Sequence, residues 1–271
     1  MTKFGVHLGL QDASVVAMRQ AWEMLDGSAF SWLSVTDRVP ASLSAIEVHD
    51  GVGTLEAVAC QAAVAVTTLR TRVGCLAYSA AYRHPAALAK AGATIDHLSG
   101  GRLELGIGAG RRRRGDAVSE DGPLRLRRMA ECAEVVRLLW TEESTTFEGE
   151  FFQLRNARCD PKPVQRPPRI WVGTNGGPAA LEIAGRVGDG WNAAFIAPDD
   201  FARKLAVVKS AAVEPSRLAT AVTLGYLPRP EDEVVAVLVE RFGPGAARLQ
   251  PGVVAGSIDS MLGSIARYVA A

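Results

Sequence analysis

"YRHPAALAKAGATIDHLSGGRLELGIGAG", residues 82–110, joins a helix to a strand through a tight turn of small residues. Pro85 belongs in a first helical turn, where its missing N–H would have had no partner. Ser99-Gly100-Gly101 falls just past the end of that helix, and "RLELGIG" (102–108) is a short apolar run of strand length. Another such run, "RTRVGCLAY" (70–78), lies just upstream. Strand, helix and strand with short connections make a parallel pair, because parallel strands need a crossover element. That unit sets the fold.

The same rhythm extends both ways. Upstream, "FGVHLGL" (4–10) and "SWLSV" (31–35) read as strands. Between them Asp12 is expected to cap a helix with Val15, Met18, Trp22 and Leu25 on one face and Gly27 at its end. Thr54 is expected to open a second helix with Leu55, Val58, Ala62 and Ala65 inward, and Pro123 a long one with Met129, Ala133, Val136 and Leu139 inward. "TTFEGEFFQL" (145–154) alternates around Glu148-Gly149 as a β-hairpin, and "PKPVQRPP" (161–168) is a proline-rich connector. Strands at 169–173, 190–193 and 217–226 then alternate with helices at 176–185, from a cap at Asp199 to Ala212, and at 231–242. A last helix starts at Ser257.

The expected fold class is α/β: a (β/α)8 TIM barrel, one domain over 1–271, with the hairpin near 145–154 as an insertion. Seven strand–helix units are visible. The eighth strand is either supplied by "GVVAG" (252–256) or incomplete, so the last strand is atypical.

Composition narrows the function. Lys and Arg total 30 against 29 Asp and Glu, a net charge of +1, which argues against nucleic acid as a partner. Cys60, Cys75, Cys132 and Cys159 form no CxxC pair, so reduced thiols and a cytoplasmic location are expected. His7, His49, His84 and His97 form no HxH or HExxH pair, and no metal is expected. The apolar stretch around Ala57–Val66 is too short to cross a bilayer, so no membrane partner is expected either.

In a barrel the site lies at the C-terminal strand ends and the loops after them. Those positions hold His7 and Gln11, Thr36-Asp37-Arg38, Tyr78 and Ser79, Gly108–Arg114, Thr174-Asn175-Gly176-Gly177, Trp191-Asn192 and Tyr226. "WVGTNGGPAAL" (171–181) is a strand, a glycine-rich turn and a helix start: a phosphate site, or simply a tight turn that needs small residues. Gly108 and Gly110 would let a flat ring approach the backbone closely. Arg111–Arg114 reads as a solvated loop or an anion clamp. Asp37-Arg38 reads as an ion pair at a strand end or as catalytic machinery. His84, beside Pro85, reads as a cap rather than a base, and Tyr78, Trp191 and Tyr226 could equally be packing aromatics.

Four segments together carry a resemblance: 82–110, "LWTEESTTFEGEFFQL" (139–154), "PKPVQRPPRIWVG" (161–173) and "GRVGDGWNA" (185–193). Over about residues 4–195 the chain resembles the luciferase-like monooxygenase family, including its deazaflavin (coenzyme F420) dependent oxidoreductases. The resemblance implies a barrel holding a reduced deazaflavin or flavin at the strand C-termini. A non-proline cis peptide is implied around Ala77-Tyr78, with Ala77, Tyr78 and Ser79 against the ring. Phosphate is implied at Thr174, Asn175, Gly176 and Gly177. Where deazaflavin members have Ser-Asp-His, this chain has Thr36-Asp37-Arg38; it also has Ala80-Ala81 and "GAGRRRR" in place of the family's usual residues.

On this resemblance the chain is expected to be a flavin- or deazaflavin-dependent oxidoreductase or monooxygenase acting on a small molecule. Coenzyme F420 is favoured over FMN because the arginine cluster, Arg111 and Arg112 foremost, suits its more anionic tail, with Gly108 and Gly110 left to the ring. Asp37, Arg38, His7 and Tyr78 are the candidates for proton transfer or substrate orientation. A homodimer is expected. The alternative is a non-catalytic barrel that has lost cofactor chemistry and acts as a binding or structural partner.

Overall fold

The computed structural model describes residues 2–11, 13–37, 54–110 and 122–271. Within them the chain forms two compact units, Lys3–Val172 and Gly173–Ala271.

The first unit alternates β1 (Gly5–Leu8), α1 (Val15–Asp26), β2 (Trp32–Val35), α2 (Ala57–Thr67), β3 (Arg72–Ser79), α3 (Pro85–Leu98), β4 (Leu103–Gly108) and α4 (Gly122–Thr141). The hairpin β5 (Thr145–Glu148) and β6 (Gln153–Ala157) follows, and then β7 (Ile170–Gly173). β1, β2, β3, β4 and β7 are successive parallel neighbours. Along these strands Leu33, Val35, Val73, Cys75, Leu103, Leu105, Ile107, Ile170 and Val172 are buried on one face. The alternate positions carry glycine and polar residues, Gly5 and His7, Ser34, Gly74, Glu104, Gly106 and Gly108, together with the paired rings of Trp32 and Trp171.

The register of β3 on β4 shifts between Cys75 and Tyr78, and the Leu76–Ala77 peptide there is cis, one residue before the position the resemblance implies. Gly106 faces this irregularity. A Cβ on it would collide with the Cys75 carbonyl oxygen, so the close approach of the two strands requires glycine.

The second unit contains α5 (Pro178–Val187), β8 (Gly190–Ala194), α6 (Pro198–Ala211), β9 (Ala219–Thr223), β10 (Gly225–Leu227), α7 (Val234–Phe242), β11 (Val253–Ala255) and α8 (Ile258–Val269). Short 3-10 turns at Glu231–Glu233 and Pro244–Gly252 flank α7. β8 pairs in parallel with β9. Trp191 on β8 is buried and stacks on Phe201 of α6, with ring centroids 5.3 Å apart. Tyr268 of α8 closes that cluster and donates to the Ile196 carbonyl at 2.6 Å.

Several expectations are corrected. Ser14, not Asp12, caps α1, accepting from the Ala17 N–H; Asp12 lies outside the described residues. Val15 faces solvent, since the inward stripe of α1 runs through Met18 and Trp22. α2 is capped by Glu56, while Thr54 bridges to Gln11, and its buried face is Ala57, Cys60, Gln61, Val64 and Ala65. α6 begins behind Ala197 with Asp199 and Asp200 in its first turn, where acidic residues favour the helix dipole without capping it. The expected strand 217–226 is two strands: β10 leaves β9 and pairs in parallel with β11. "GVVAG" does supply a last strand, in this separate two-stranded sheet.

Candidate functional site

Asp37 follows the end of β2, and its side chain is almost wholly enclosed. One carboxylate oxygen accepts from the Ser79 N–H at 3.0 Å and from Arg83 Nη1 at 2.6 Å; the other accepts from Arg83 Nη2 at 3.0 Å. Asp37 is thus in an ion pair, and its partner is Arg83, 46 residues along the chain. Arg38 lies outside the described residues. Arg83 Nη2 also donates to Glu56 at 2.6 Å, and its guanidinium lies 5.1 Å from the centre of the Tyr78 ring. Two carboxylates beside a half-enclosed guanidinium hold its pKa above the ordinary arginine value, against the opposing effect of burial.

Tyr78 is buried, with its hydroxyl donating to Gln61 Oε1 at 2.5 Å. Gln61 in turn donates to the Val73 carbonyl at 3.1 Å. Burial raises the Tyr78 pKa well above its usual value and does the same to Cys75, so both stay protonated through neutral pH. Ser79 is buried at the end of β3, and its hydroxyl accepts from the Ala81 N–H. Gly108 ends β4. Gly110 has φ +74, in the left-handed region that favours glycine, and a Cβ there would also strike the Ser79 hydroxyl. Ala77, Tyr78, Ser79, Gly108 and Gly110 are thereby gathered at the ends of two paired strands.

His7 on β1 pairs in register with Ser34 on β2, and its Nδ1 lies 2.8 Å from the Ser34 hydroxyl. Burial lowers its pKa to about 4, so the imidazole is neutral at pH 7. Two residues further along the same face of β2, the Thr36 hydroxyl is buried with no hydrogen-bond partner. His84 caps α3, its Nδ1 accepting from the Ala86 N–H at 3.2 Å.

The turn 174–177 belongs to the second unit. Thr174 Oγ1 accepts from the Gly176 N–H at 3.0 Å. Asn175 is committed through its side chain: Oδ1 accepts from the Ala194 N–H at 2.9 Å, and Nδ2 donates to the Ala194 carbonyl. Gly177 is the N-cap of α5, makes no side-chain cap bond and has open space where a Cβ would stand; Pro178 follows at the first position. Lys204 of α6 donates to the carbonyls of Asn175 and Gly176 at 2.8 and 2.9 Å. An uncapped helix start with an ammonium group beside it has the polarity a phosphate requires. The residues present therefore fit the phosphate of a flavin or deazaflavin here, and the strand-end glycines of the first unit fit a flat ring. Arg111 and Arg112 lie outside the described residues.

Sequence reasoning missed Gln61, Arg83, Glu56 and Ser34. It also missed a set of charged residues at the other ends of the strands. Glu104, buried near the start of β4, is paired with Arg72 and accepts from Trp171 Nε1 at 2.5 Å. Arg102 spends all five N–H donors: on the Ser99, Thr71, Ala65 and Thr68 carbonyls and on the Thr68 hydroxyl, at 2.6–2.9 Å. Asp96 accepts from the N–H groups of Leu103 and Gln165 and from the Gln165 amide. Among the described residues no group of three or more His, Cys, Asp and Glu could hold a metal, and no helix is long and apolar enough to cross a membrane.

The pattern of the luciferase-like monooxygenase family matches residues 41–251. Over 148 residues the chain is 34% identical to an F420-dependent glucose-6-phosphate dehydrogenase of Amycolatopsis mediterranei, covering 53% of this chain and 44% of that protein. Over 132 residues it is 41% identical to the Kineococcus radiotolerans protein of the same name, covering 47% of this chain and 39% of that one. The chain thus spans less than half the length of these curated relatives. Among solved structures, an F420-dependent secondary alcohol dehydrogenase in complex with an F420-acetone adduct superposes with a TM-score of 0.83 at 20% identity, covering 99% of this chain and 90% of that one. The coenzyme F420-dependent tetrahydromethanopterin reductase of Methanopyrus kandleri does so with 0.78 at 17%, covering 99% and 90%. The fold is the expected luciferase-like (β/α) barrel, with an atypical last strand. This chain belongs to the luciferase-like monooxygenase family.

Proposed function

We propose that this chain is an oxidoreductase that uses coenzyme F420 to reduce or oxidise a small organic substrate. The identity of 34% and 41% with F420-dependent glucose-6-phosphate dehydrogenases carries the reading. When bound, the deazaflavin supplies hydride transfer at its ring carbon. Ala77, Tyr78, Ser79, Gly108 and Gly110 give the ring a backbone-lined seat, and Thr174, Asn175, Gly176 and Gly177 receive phosphate through the start of α5. Asp37 works from behind: by binding Arg83 and the Ser79 N–H it fixes the end of β3. Tyr78 supports the same segment through Gln61. His7, neutral and steadied by Ser34, exchanges a proton with the substrate oxygen. Arg111 and Arg112 take carboxylates of the cofactor tail, and Arg38 steadies the reduced ring or a carboxylate of the substrate.

The four buried, free cysteines support a cytoplasmic location, and the exposed apolar side chains Val15, Val16 and Met24 on α1 support a homodimer. Titrating the purified protein with F420 and with FMN, followed by fluorescence, tests the reading. Micromolar binding of F420 is expected. Binding of FMN alone would move the reaction to the monooxygenase branch of the family. Binding of neither would leave a barrel without cofactor chemistry, acting as a binding or structural partner.

A further inference from the structure

α4 carries three arginines in its first two turns, and two have evident tasks. Arg127 is paired with Glu150 at 2.9 Å, and Arg128 lies 4.4 Å from the centre of the Phe151 ring. Arg125 is different. It stands four, seven and eleven residues before Met129, Cys132 and Val136, all fully buried, so it continues the inward stripe of the helix. Its Nε and Nη1 are both enclosed, and among the described residues neither has a hydrogen-bond acceptor. A guanidinium keeps its charge at any physiological pH, so it cannot lighten the cost of burial by losing a proton. Its place in the fold matters too. α4 follows β4, so its first turn lies on the side of the C-terminal strand ends where Gly108 and Gly110 sit.

Arg102 in the same unit shows what a satisfied arginine looks like, with every donor matched to an oxygen. From that contrast we infer that Arg125 is an anion-binding residue, its enclosed donors taking a carboxylate or phosphate group of the ligand held at the strand ends. The Nε–H and Nη1 donors leave different edges of the planar guanidinium, so each takes its own oxygen from the bound anion. The inference rests on the proposed function only for the source of the anion, cofactor tail or substrate.

Two variants test it. Arg125→Met removes the charge and keeps much of the volume. The unliganded variant is expected to melt at or above the wild-type temperature, because an uncompensated charge has been deleted. A lower melting temperature would show that Arg125 has a partner within the chain and would overturn the inference. Arg125→Gln is then titrated with F420, with the deazaflavin core lacking phosphate and tail, and with inorganic phosphate. A 10- to 100-fold loss of F420 affinity with the core unaffected assigns the anion to the cofactor. Unchanged binding of both, with loss of the stabilisation that phosphate gives the wild type, assigns it to the substrate. Wild-type affinities for all three probes would overturn the inference. If the wild-type protein binds neither deazaflavin, the proposed function fails, and the phosphate and melting measurements still decide on Arg125.

Discussion

The two ends of the strands in the first unit handle buried charge in opposite ways. At the starts of β3 and β4, Arg72, Arg102, Glu104 and Asp96 are matched donor to acceptor by side chains and carbonyls of the chain itself. At the strand ends, Asp37 and Arg83 are matched to each other, yet two nitrogens of Arg125 have no partner among the described residues; uncharged donors without one occur at both ends, Trp32 Nε1 at the start of β2 and the Thr36 hydroxyl just past its end. Closed networks stabilise and fix register; open polar groups in an enclosed place cost stability and persist where a ligand answers them. The difference in charge pairing separates the end that holds the fold from the end proposed to take the ligand.

That division can be broken or sharpened by measurement. The largest effect is expected from Glu104→Ala, which takes the carboxylate from Arg72 and the acceptor from Trp171. Urea denaturation should register a loss of about 4 kcal/mol, and a loss under about 1 kcal/mol would mean the network is not what holds this end. His7 comes next. Its folded pKa of about 4 lies below the ordinary 6.5, so the unfolded chain binds the extra proton between those values. Stability is therefore full above pH 6.5 and declines as the pH falls towards 4, by up to about 3 kcal/mol. His7→Gln should flatten that decline; an unchanged pH profile would show that the imidazole is not desolvated.

Arg102→Lys should cost about 2 kcal/mol, since an ammonium cannot replace five donors in a fixed plane. A thermal melt indistinguishable from wild type would count against the closed-network view. Smallest is Asp26, at the end of α1. Burial pushes its carboxyl up, but the N–H groups of Leu69, Thr71 and Arg70 and the Thr71 hydroxyl together bring it down to about 2. Its contribution is present above pH 3.8 and lost as the pH falls through 2. Asp26→Asn should remove about 1 kcal/mol of acid-dependent stability, read from melts at pH 5 and pH 2.5.

The strand–helix rhythm was legible because the strands of the parallel sheet are short, mainly apolar runs separated by helix-length segments, and the parallel pairing follows from that spacing. The glycine-rich turn at 174–177 was legible for the same local reason. What stayed hidden depends on residues distant in sequence. Asp37 is answered from position 83, and Tyr78 from Gln61. Some of the hidden residues had a visible signal: Gln61 is the one strongly polar residue within an alanine- and valine-rich helix, and Arg102 and Glu104 are charges inside a strand run. A charge or amide where burial is expected implies a partner, without saying which. The helix caps were misplaced by two residues where Asp12 and Thr54 stood near a better-placed Ser14 or Glu56. The side-chain task of Asn175, which imitates a peptide group for Ala194, was hidden in the same way.

That last arrangement bears on how the protein ages. Asn175-Gly176 is the dipeptide most prone to spontaneous deamidation, in which the following backbone nitrogen attacks the side-chain amide. Here the amide is held at both atoms by Ala194, and the attacking nitrogen is engaged by the Thr174 hydroxyl. Folding thus shelters a chemically fragile bond. If the bond does turn over, a new carboxylate faces the Ala194 carbonyl and sits at the very turn whose polarity favours an incoming anion. A molecule that has lost that amide would be marked by its own chemistry as old before it lost its fold.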